Sequence, residues 1–104
     1  MPTAEPFTPS PEQVAWREQF WDSGFWEPMP GAFMAMWSLF INPGDAPGCV
    51  VLRRFDIYRG DLEPRPSTRA MFASVEVARW MVRPDKAKMM RHPTDVPCLA
   101  ETYM

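Results

Sequence analysis

The chain has 104 residues, 46% of them hydrophobic and 23% charged, and carries a formal net charge of −2 at pH 7. This length suits a single domain whose core needs no disulfide or metal to hold it together. The composition argues against a chain disordered by excess charge, and the longest uncharged apolar run, at residues 32–41, is about half as long as a membrane-spanning helix must be.

Residues 1–9 contain three prolines and no apolar periodicity. We predict a flexible Pro-rich arm over this stretch and a single folded domain over residues 10–104. The arm has neither the basic region nor the hydrophobic region of a secretory signal, so we expect a cytoplasmic protein.

The first helix has the clearest local signal in the sequence. Ser10 is a good N-cap, Pro11 suits the first helical position, and Gln13 is placed to close a capping box. We predict a helix that runs to residue 22 or 23, where Gly24 supplies the left-handed conformation that ends it.

Aromatic residues crowd the end of this helix, in the sequence Phe-Trp-Asp-Ser-Gly-Phe-Trp at residues 20–26. At the helical period, Phe20 and Trp21 fall on the inward side. We expect Phe25 and Trp26 to pack across the helix end and hold the reversed chain against it. Arg17 lies within the same apolar arc. We expect one of three roles for it: its charge extends to solvent, its guanidinium stacks on a neighbouring ring, or it contacts a partner.

Residues 32–58 predict an antiparallel β-hairpin, with a helix as the alternative for residues 32–41 because Ala, Met and Leu favour that structure. Residues 32–41 are apolar and framed by Pro and Gly, residues 42–48 form a dense turn, and residues 49–58 are rich in β-branched and aromatic types. The first strand is apolar on both faces, since Met34, Met36 and Phe40 alternate with a second apolar set. A helix of this chain or another subunit must therefore cover its second face.

The second strand of the hairpin predicts one dry and one wet face. Val51, Phe55 and Ile57 point to one side of the strand, whereas Arg54 and Asp56 point to the other. We expect the polar side to face solvent, with Asp56 paired to Arg54 or to a neighbour.

The chain after the hairpin predicts helices as far as residue 91, whereas residues 94–104 show no periodicity. Ser67 or Thr68 is placed to cap a second helix, because apolar side chains recur at helical spacing from Met71 onward. Pro84 ends that helix and begins a short one that reaches residue 91. The fold class is therefore α+β: a small single domain with an N-terminal helix, an antiparallel β-hairpin, and then one longer and one short helix.

Residues suited to catalysis or metal binding are scarce. The only histidine is His92, with Cys98 six residues later in a proline-rich stretch that makes a poor platform for catalysis. Cys49, His92 and Cys98 supply three zinc ligands at most, and the five glycines are isolated turn residues that build no phosphate cradle. We predict a non-enzymatic protein without catalytic residues, metal or cofactor, whose two cysteines stay reduced. A small enzyme using His92 and Cys98 is the remote alternative.

Basic residues concentrate after residue 48, and most of them are Arg. Arg side chains suit contacts with carboxylates, phosphates and aromatic rings. A nucleic-acid or phosphate-ligand binder is therefore the main alternative function, although the pI of 5.3 and the acids interleaved in the same stretch argue against it. The arginines concerned are Arg53, Arg54, Arg59, Arg65 and Arg69.

The apolar side chains exceed what so short a chain comfortably buries: they include five Trp, seven Phe, two Tyr and nine Met. Trp, Met and Arg are enriched where proteins meet. We predict a small protein-binding module that acts as an inhibitor, adaptor or accessory subunit, or that self-associates as a homodimer, without membrane contact. The predicted partner-binding residues are Trp26, Met34, Met36, Phe40, Arg53, Arg54, Arg59, Arg65 and Arg69.

Overall fold

The structure is a computed structural model that describes residues 7–89 and 98–104. Within them, two α-helices and a 3-10 turn accompany a five-stranded antiparallel sheet, so the mixed α and β character is confirmed. Neither helix of this part of the chain has the length and apolar character that a bilayer crossing requires. The elements are α1 Pro11–Trp21, the 3-10 turn Gly24–Trp26, β1 Met34–Ile41, β2 Val50–Ile57, β3 Arg65–Phe72, α2 Val75–Met81, β4 Lys88–Met89 and β5 Leu99–Tyr103.

The start of α1 is as predicted, and its end differs in one respect. The Ser10 side chain accepts a hydrogen bond from the Gln13 backbone N–H at 3.2 Å, and the Gln13 side chain accepts one from the Ser10 N–H at 2.8 Å. Gly24 does not supply a left-handed helix end. Instead, the Ser23 hydroxyl donates to the Phe20 carbonyl at 2.6 Å, and Gly24 begins the 3-10 turn.

The predicted hairpin is confirmed. β1 and β2 pair antiparallel from Met34 opposite Ile57 to Ile41 opposite Val50. The turn between them contains Asn42 and Gly48 at φ values of 51° and 77°, and the Asn42 side chain accepts a hydrogen bond from the Gly48 N–H at 2.7 Å.

Residues 65–72 are a strand, so the prediction of a helix beginning at Ser67 or Thr68 is wrong. β3 pairs antiparallel with β2, which satisfies backbone groups along one edge of β2. The second helix begins later, where the Ser74 side chain accepts a hydrogen bond from the Val77 N–H at 3.3 Å. The apolar residues whose spacing indicated one longer helix belong to two elements. Met71 lies in the largely exposed edge strand β3, and the later ones lie in α2.

The prediction of a short helix at residues 84–91 is also wrong for residues 84–89, which the structure describes. The chain turns after Arg83, with the Lys86 N–H bonded to the Arg83 carbonyl at 3.0 Å, and then forms the two-residue strand β4. The tail, which showed no periodicity, forms β5 between β1 and β4. The sheet order is β3-β2-β1-β5-β4, so β1 is the central strand. Residues 90–97 lie outside the described residues.

The helices and the 3-10 turn pack on one face of the sheet. Phe20 and Trp21 of α1, Trp26 of the 3-10 turn and Met81 of α2 all join the cluster that covers this face. The ring centroids of Phe20 and Trp26 are 5.3 Å apart, which confirms the predicted packing across the end of α1. The sheet residues of this cluster are Ala35, Trp37, Leu39, Val50, Leu52, Ala70, Phe72, Ala100 and Tyr103.

A buried ion pair joins the chain between α1 and β1 to β2, and this corrects the predicted wet face. Arg54 is 5% exposed and Asp56 1% exposed, with the Arg54 Nε atom 3.3 Å from the Asp56 carboxylate. The Arg54 Nη1 atom donates to the carbonyls of Gly24 at 2.7 Å and Glu27 at 2.9 Å, and Asp56 accepts from the Met29 N–H at 3.0 Å. The predicted pairing of Asp56 with Arg54 is confirmed, and the prediction that both side chains face solvent is wrong.

The physical reason lies in the backbone of residues 24–29. Within this segment the Gly24 carbonyl accepts one hydrogen bond from the Glu27 N–H at 3.2 Å, and Arg54 supplies further donors to the carbonyls of Gly24 and Glu27. A buried carbonyl without a partner is costly. A guanidinium offers five donors in one plane, so a single Arg side chain satisfies several carbonyls at once. We call Arg54, Asp56 and the backbone groups that they bond the arginine clamp.

Arg17 and the N-terminal arm contact the outer side of the helix layer. The Arg17 guanidinium lies 4.3 Å from the Trp21 ring centroid and 4.0 Å from that of Trp80. Of the three roles considered for Arg17, the structure therefore shows stacking on aromatic rings. Of the predicted arm at residues 1–9, positions 1–6 lie outside the described residues. Phe7 packs edge-on against Trp80 at 5.5 Å.

A second buried acid stabilises the other end of the sheet. Glu101 is buried and bonds to Arg79 at 2.6 Å, Lys88 at 3.1 Å and the Tyr103 hydroxyl at 2.6 Å. Burial alone would raise the pKa of Glu101, but hydrogen bonds from Tyr103, Arg79 and Lys88 outweigh it and hold that pKa below its ordinary value. The same burial and the nearby carboxylate raise the pKa of Tyr103.

We predict that Arg54→Ala lowers the free energy of unfolding by about 3–5 kcal/mol, because it leaves the Asp56 charge buried and removes hydrogen bonds to the carbonyls of Gly24 and Glu27. Urea unfolding followed by circular dichroism measures the change. The matched control is Arg53→Ala, which removes an exposed ion pair from the neighbouring position and should cost less than about 1 kcal/mol. Equal losses in the two variants would contradict the clamp.

We also predict a pH dependence that traces to Glu101. Its pKa is lower in the folded than in the unfolded chain, so its contribution is fully present above the ordinary value of 4.5 and is lost as the pH falls through the folded-state pKa. Glu101→Gln should therefore flatten the fall in unfolding free energy below pH 4.5. Glu18→Gln, which removes an exposed carboxylate of α1, is the control. An unchanged acid slope in Glu101→Gln would contradict this assignment.

Candidate functional site: the open face of the sheet

The sheet face opposite the helices is apolar over much of its area, and neither described helix covers it. We call it the open face. Its members are cross-strand partners, so the strand register assigns them to one side. They are Met34, Met36, Ser38 and Phe40 of β1, Val51, Arg53, Phe55 and Ile57 of β2, Arg69 and Met71 of β3, and Thr102 of β5.

The open face is arranged in rows that run across the strands. One row is polar: Ser38 lies between Arg53 and Thr102, and its hydroxyl is 3.1 Å from that of Thr102. On one side of it, Phe40 and Val51 continue to the exposed Met71 of the edge strand. On the other side, apolar pairs join β1 and β2, so a polar stripe crosses an otherwise apolar surface. These pairs are Met36 with Phe55 and Met34 with Ile57.

A groove lies where the open face meets the hairpin turn. Its volume is about 420 Å³, within the range of small-ligand and peptide side-chain sites. Phe40 and Phe55 form its floor, with ring centroids 6.5 Å apart. The remaining lining residues are Pro43, Gly44, Asp45, Val51, Arg53, Pro66 and Cys98.

One carboxylate at the rim of this groove holds two arginines. The Asp45 Oδ2 atom is 3.2 Å from Arg53 Nη2 and 3.0 Å from Arg69 Nη1. The Asp45 side chain is 59% exposed, so solvent screens both pairs. Two guanidinium charges against one carboxylate leave this rim with an excess of one positive charge.

The structure brings five of the nine predicted partner-binding residues together on the open face. Met34, Met36 and Phe40 lie on β1, with Arg53 opposite Ser38 on β2 and Arg69 beside Arg53 on β3. The apolar and basic members of the predicted set therefore share one surface.

Two other predicted residues sit outside the sheet face, at the end of the hairpin near the start of β3. The Arg59 guanidinium stacks on the Phe33 ring at 5.0 Å. Arg65 pairs with Asp61 at 2.6 Å and lies 4.8 Å from the Tyr58 ring. Both arginines are exposed, but neither belongs to the rows described above.

Trp26 and Arg54 are interior residues, which corrects their prediction as partner contacts. Trp26 is 0% exposed because the 3-10 turn presses its ring against Phe20 and against Trp37, 5.5 Å away. Arg54 is buried because it bonds the carbonyls of residues 24–27.

Sequence reasoning grouped Val51, Phe55 and Ile57 on one side of β2 and assigned that side to the interior. The alternation was correct and Val51 is buried, but Phe55 and Ile57 are only half buried, because the helices cover the opposite face, where Arg54 and Asp56 lie. Asp45 was not singled out, since an Asp in a turn is ordinary. Its role depends on the β2 and β3 pairing that brings Arg69 beside Arg53.

The residues considered for catalysis and metal binding do not form a group in the described part of the chain. His92 lies outside the described residues. Cys49 and Cys98 are free thiols, half buried, and Cys98 borders the groove. Among residues 7–89 and 98–104, no three His, Cys, Asp or Glu side chains are placed to hold a metal ion.

Comparisons with protein-family models, with curated proteins and with solved structures gave no match to this chain. The function must therefore be inferred from the chemistry of its own surfaces, among which the open face combines apolar side chains with the unbalanced charge of Arg53, Arg69 and Asp45.

Proposed function

We propose that the chain is a small non-catalytic protein-binding module, an inhibitor, adaptor or accessory subunit in the cytoplasm, and that the open face is its contact surface. The observation that carries the proposal is the distribution of side chains on the sheet. The face without a described helix carries Met34, Met36, Phe40, Phe55 and Ile57, which are half buried, and the exposed Met71, although Val51 and Ser38 at its centre are buried.

An uncovered apolar sheet face favours binding because burying it removes apolar surface from water, at roughly 25 cal/mol per Å². Antiparallel sheets with one solvated face ordinarily place polar side chains there. Met and Phe side chains on the open face depart from that pattern, and flexible Met side chains adapt well to a partner surface.

The charge at the groove rim favours a partner of a particular kind. Arg53 and Arg69 share only Asp45, so a matching surface would be apolar with a carboxylate near its centre. A second copy placed face to face would set these arginines against their own counterparts. A second copy placed with its helix side on the open face would form a head-to-tail contact that need not close. We therefore propose a different protein as the occupant.

The arginine contacts do not favour the alternative of nucleic-acid binding. Arg54 is buried, Arg65 pairs with Asp61, and Arg53 and Arg69 pair with Asp45. A phosphate backbone would meet few unpaired cations on this side of the molecule, and the resulting affinity would be weak and strongly dependent on salt.

We predict that Met36→Asp and Met71→Asp each weaken partner binding by about tenfold or more, because each places a charge in a contact that must exclude water. The partner is first isolated from a lysate of the source organism on the immobilised chain and identified. Its binding to each variant is then measured by calorimetry with purified proteins.

The matched control is Leu62→Asp, which makes the same apolar-to-acid change at a fully exposed position away from the sheet. It should bind as the unaltered chain does, and thermal unfolding should show that Met71→Asp, an exposed substitution on the edge strand, still folds. Equal binding by Leu62→Asp and Met71→Asp would overturn the proposal. A stable homodimer in sedimentation equilibrium, dissolved by Met36→Asp, would replace the proposed partner with a second copy.

A further inference from the structure

We infer that the groove beside the hairpin turn is the anchor point of the partner, and that it takes a short segment in which an aromatic or aliphatic residue is followed directly by Asp or Glu. This inference rests on the proposed function and adds the chemistry of the partner. It combines the apolar floor of the groove with the two arginines at its rim.

The floor fits one large apolar side chain. Phe40, Val51 and Phe55 line it with rings and methyl groups, and Pro43 and Pro66 add further apolar surface. The volume of about 420 Å³ admits a Phe or Leu side chain together with part of its backbone. Interface anchors of this kind contribute most when they enter a pocket that excludes water.

The rim shows where a carboxylate binds, because one already lies there. Asp45 accepts hydrogen bonds from Arg53 Nη2 at 3.2 Å and from Arg69 Nη1 at 3.0 Å through a single oxygen. The two guanidinium groups have further N–H donors, so a partner carboxylate can join or displace that of Asp45. Asp45 therefore occupies the position as an internal competitor of the partner acid.

The two features are joined through Arg53. Its side chain lines the groove and also bonds Asp45, so an apolar residue on the floor places its neighbour in the peptide within reach of the rim. Adjacent residues of an extended segment point to opposite sides, which suits one side chain directed down into the groove and the next directed toward the turn.

The test uses two capped peptides, acetyl-Gly-Phe-Glu-Gly-amide and its Gln analogue, titrated into the full chain and followed by backbone amide NMR. We expect shifts confined to the lining of the groove, and affinity about fivefold weaker for the Gln peptide, as for loss of one exposed charge pair. Arg69→Gln should weaken the Glu peptide about threefold and leave the Gln peptide unchanged.

The sharpest variant is Asp45→Asn, which removes the internal competitor and should strengthen binding of the Glu peptide about threefold. Asp85→Asn is the matched control: it makes the same charge change at an exposed pair with Arg83, on the helix side of the molecule, and should leave binding unchanged. Equal binding of the two peptides, or equal effects of the two Asn variants, would overturn the inference.

This result is separable from that of the proposed function. Loss of partner binding in Met71→Asp together with an absence of groove shifts would overturn the anchor and leave the docking surface. Groove binding of the Glu peptide together with partner binding that Met71→Asp does not affect would support the anchor and overturn the broader surface.

Discussion

The arrangement of this molecule depends on one buried guanidinium. Arg54 extends from the middle of β2 under the chain that links α1 to β1, where it bonds backbone carbonyls of Gly24 and Glu27 and pairs with Asp56. Burying an ion pair costs several kcal/mol in lost hydration, and hydrogen bonds from Arg54 to the linking carbonyls and from the Met29 N–H to Asp56 offset part of that cost. Those bonds fix the 3-10 turn against the sheet, so Trp26 enters the core and α1 packs on the same side.

The clamp has a consequence for the opposite face. With α1, the 3-10 turn and α2 all drawn to one side, the apolar residues of β1 and β2 that point the other way have no described helix above them. The covered side also contains Glu101, bonded to Arg79 and Lys88, so charged groups lie where apolar ones usually do. The helix side thus buries Arg54, Asp56 and Glu101 within an otherwise apolar core, while partly exposed Met and Phe side chains lie on the face without a described helix. This distribution is the physical basis of the proposed docking surface.

Local signals in the sequence were sufficient for α1 and for the hairpin, because a capping box and a Pro- and Gly-rich turn act over a few residues. They were insufficient for β3 and β5, whose weak periodicity becomes a strand only when the edges of β2 and β1 are available for pairing. The apolar character of β1 on both faces was evident, and with it Met34, Met36 and Phe40 as surface candidates. Burial of Arg54 was not, since its partners come from carbonyls almost 30 residues away.

The claim that the open face is uncovered in the isolated chain can be measured directly with its own methionines. Hydroxyl-radical footprinting of the purified monomer, read by mass spectrometry, compares the oxidation rates of Met36 and Met71 on the open face with that of the core residue Met81. The account predicts that Met36 and Met71 oxidise much faster than Met81 and that bound partner slows both. Protection of Met36 and Met71 equal to that of Met81 in the free monomer would contradict it.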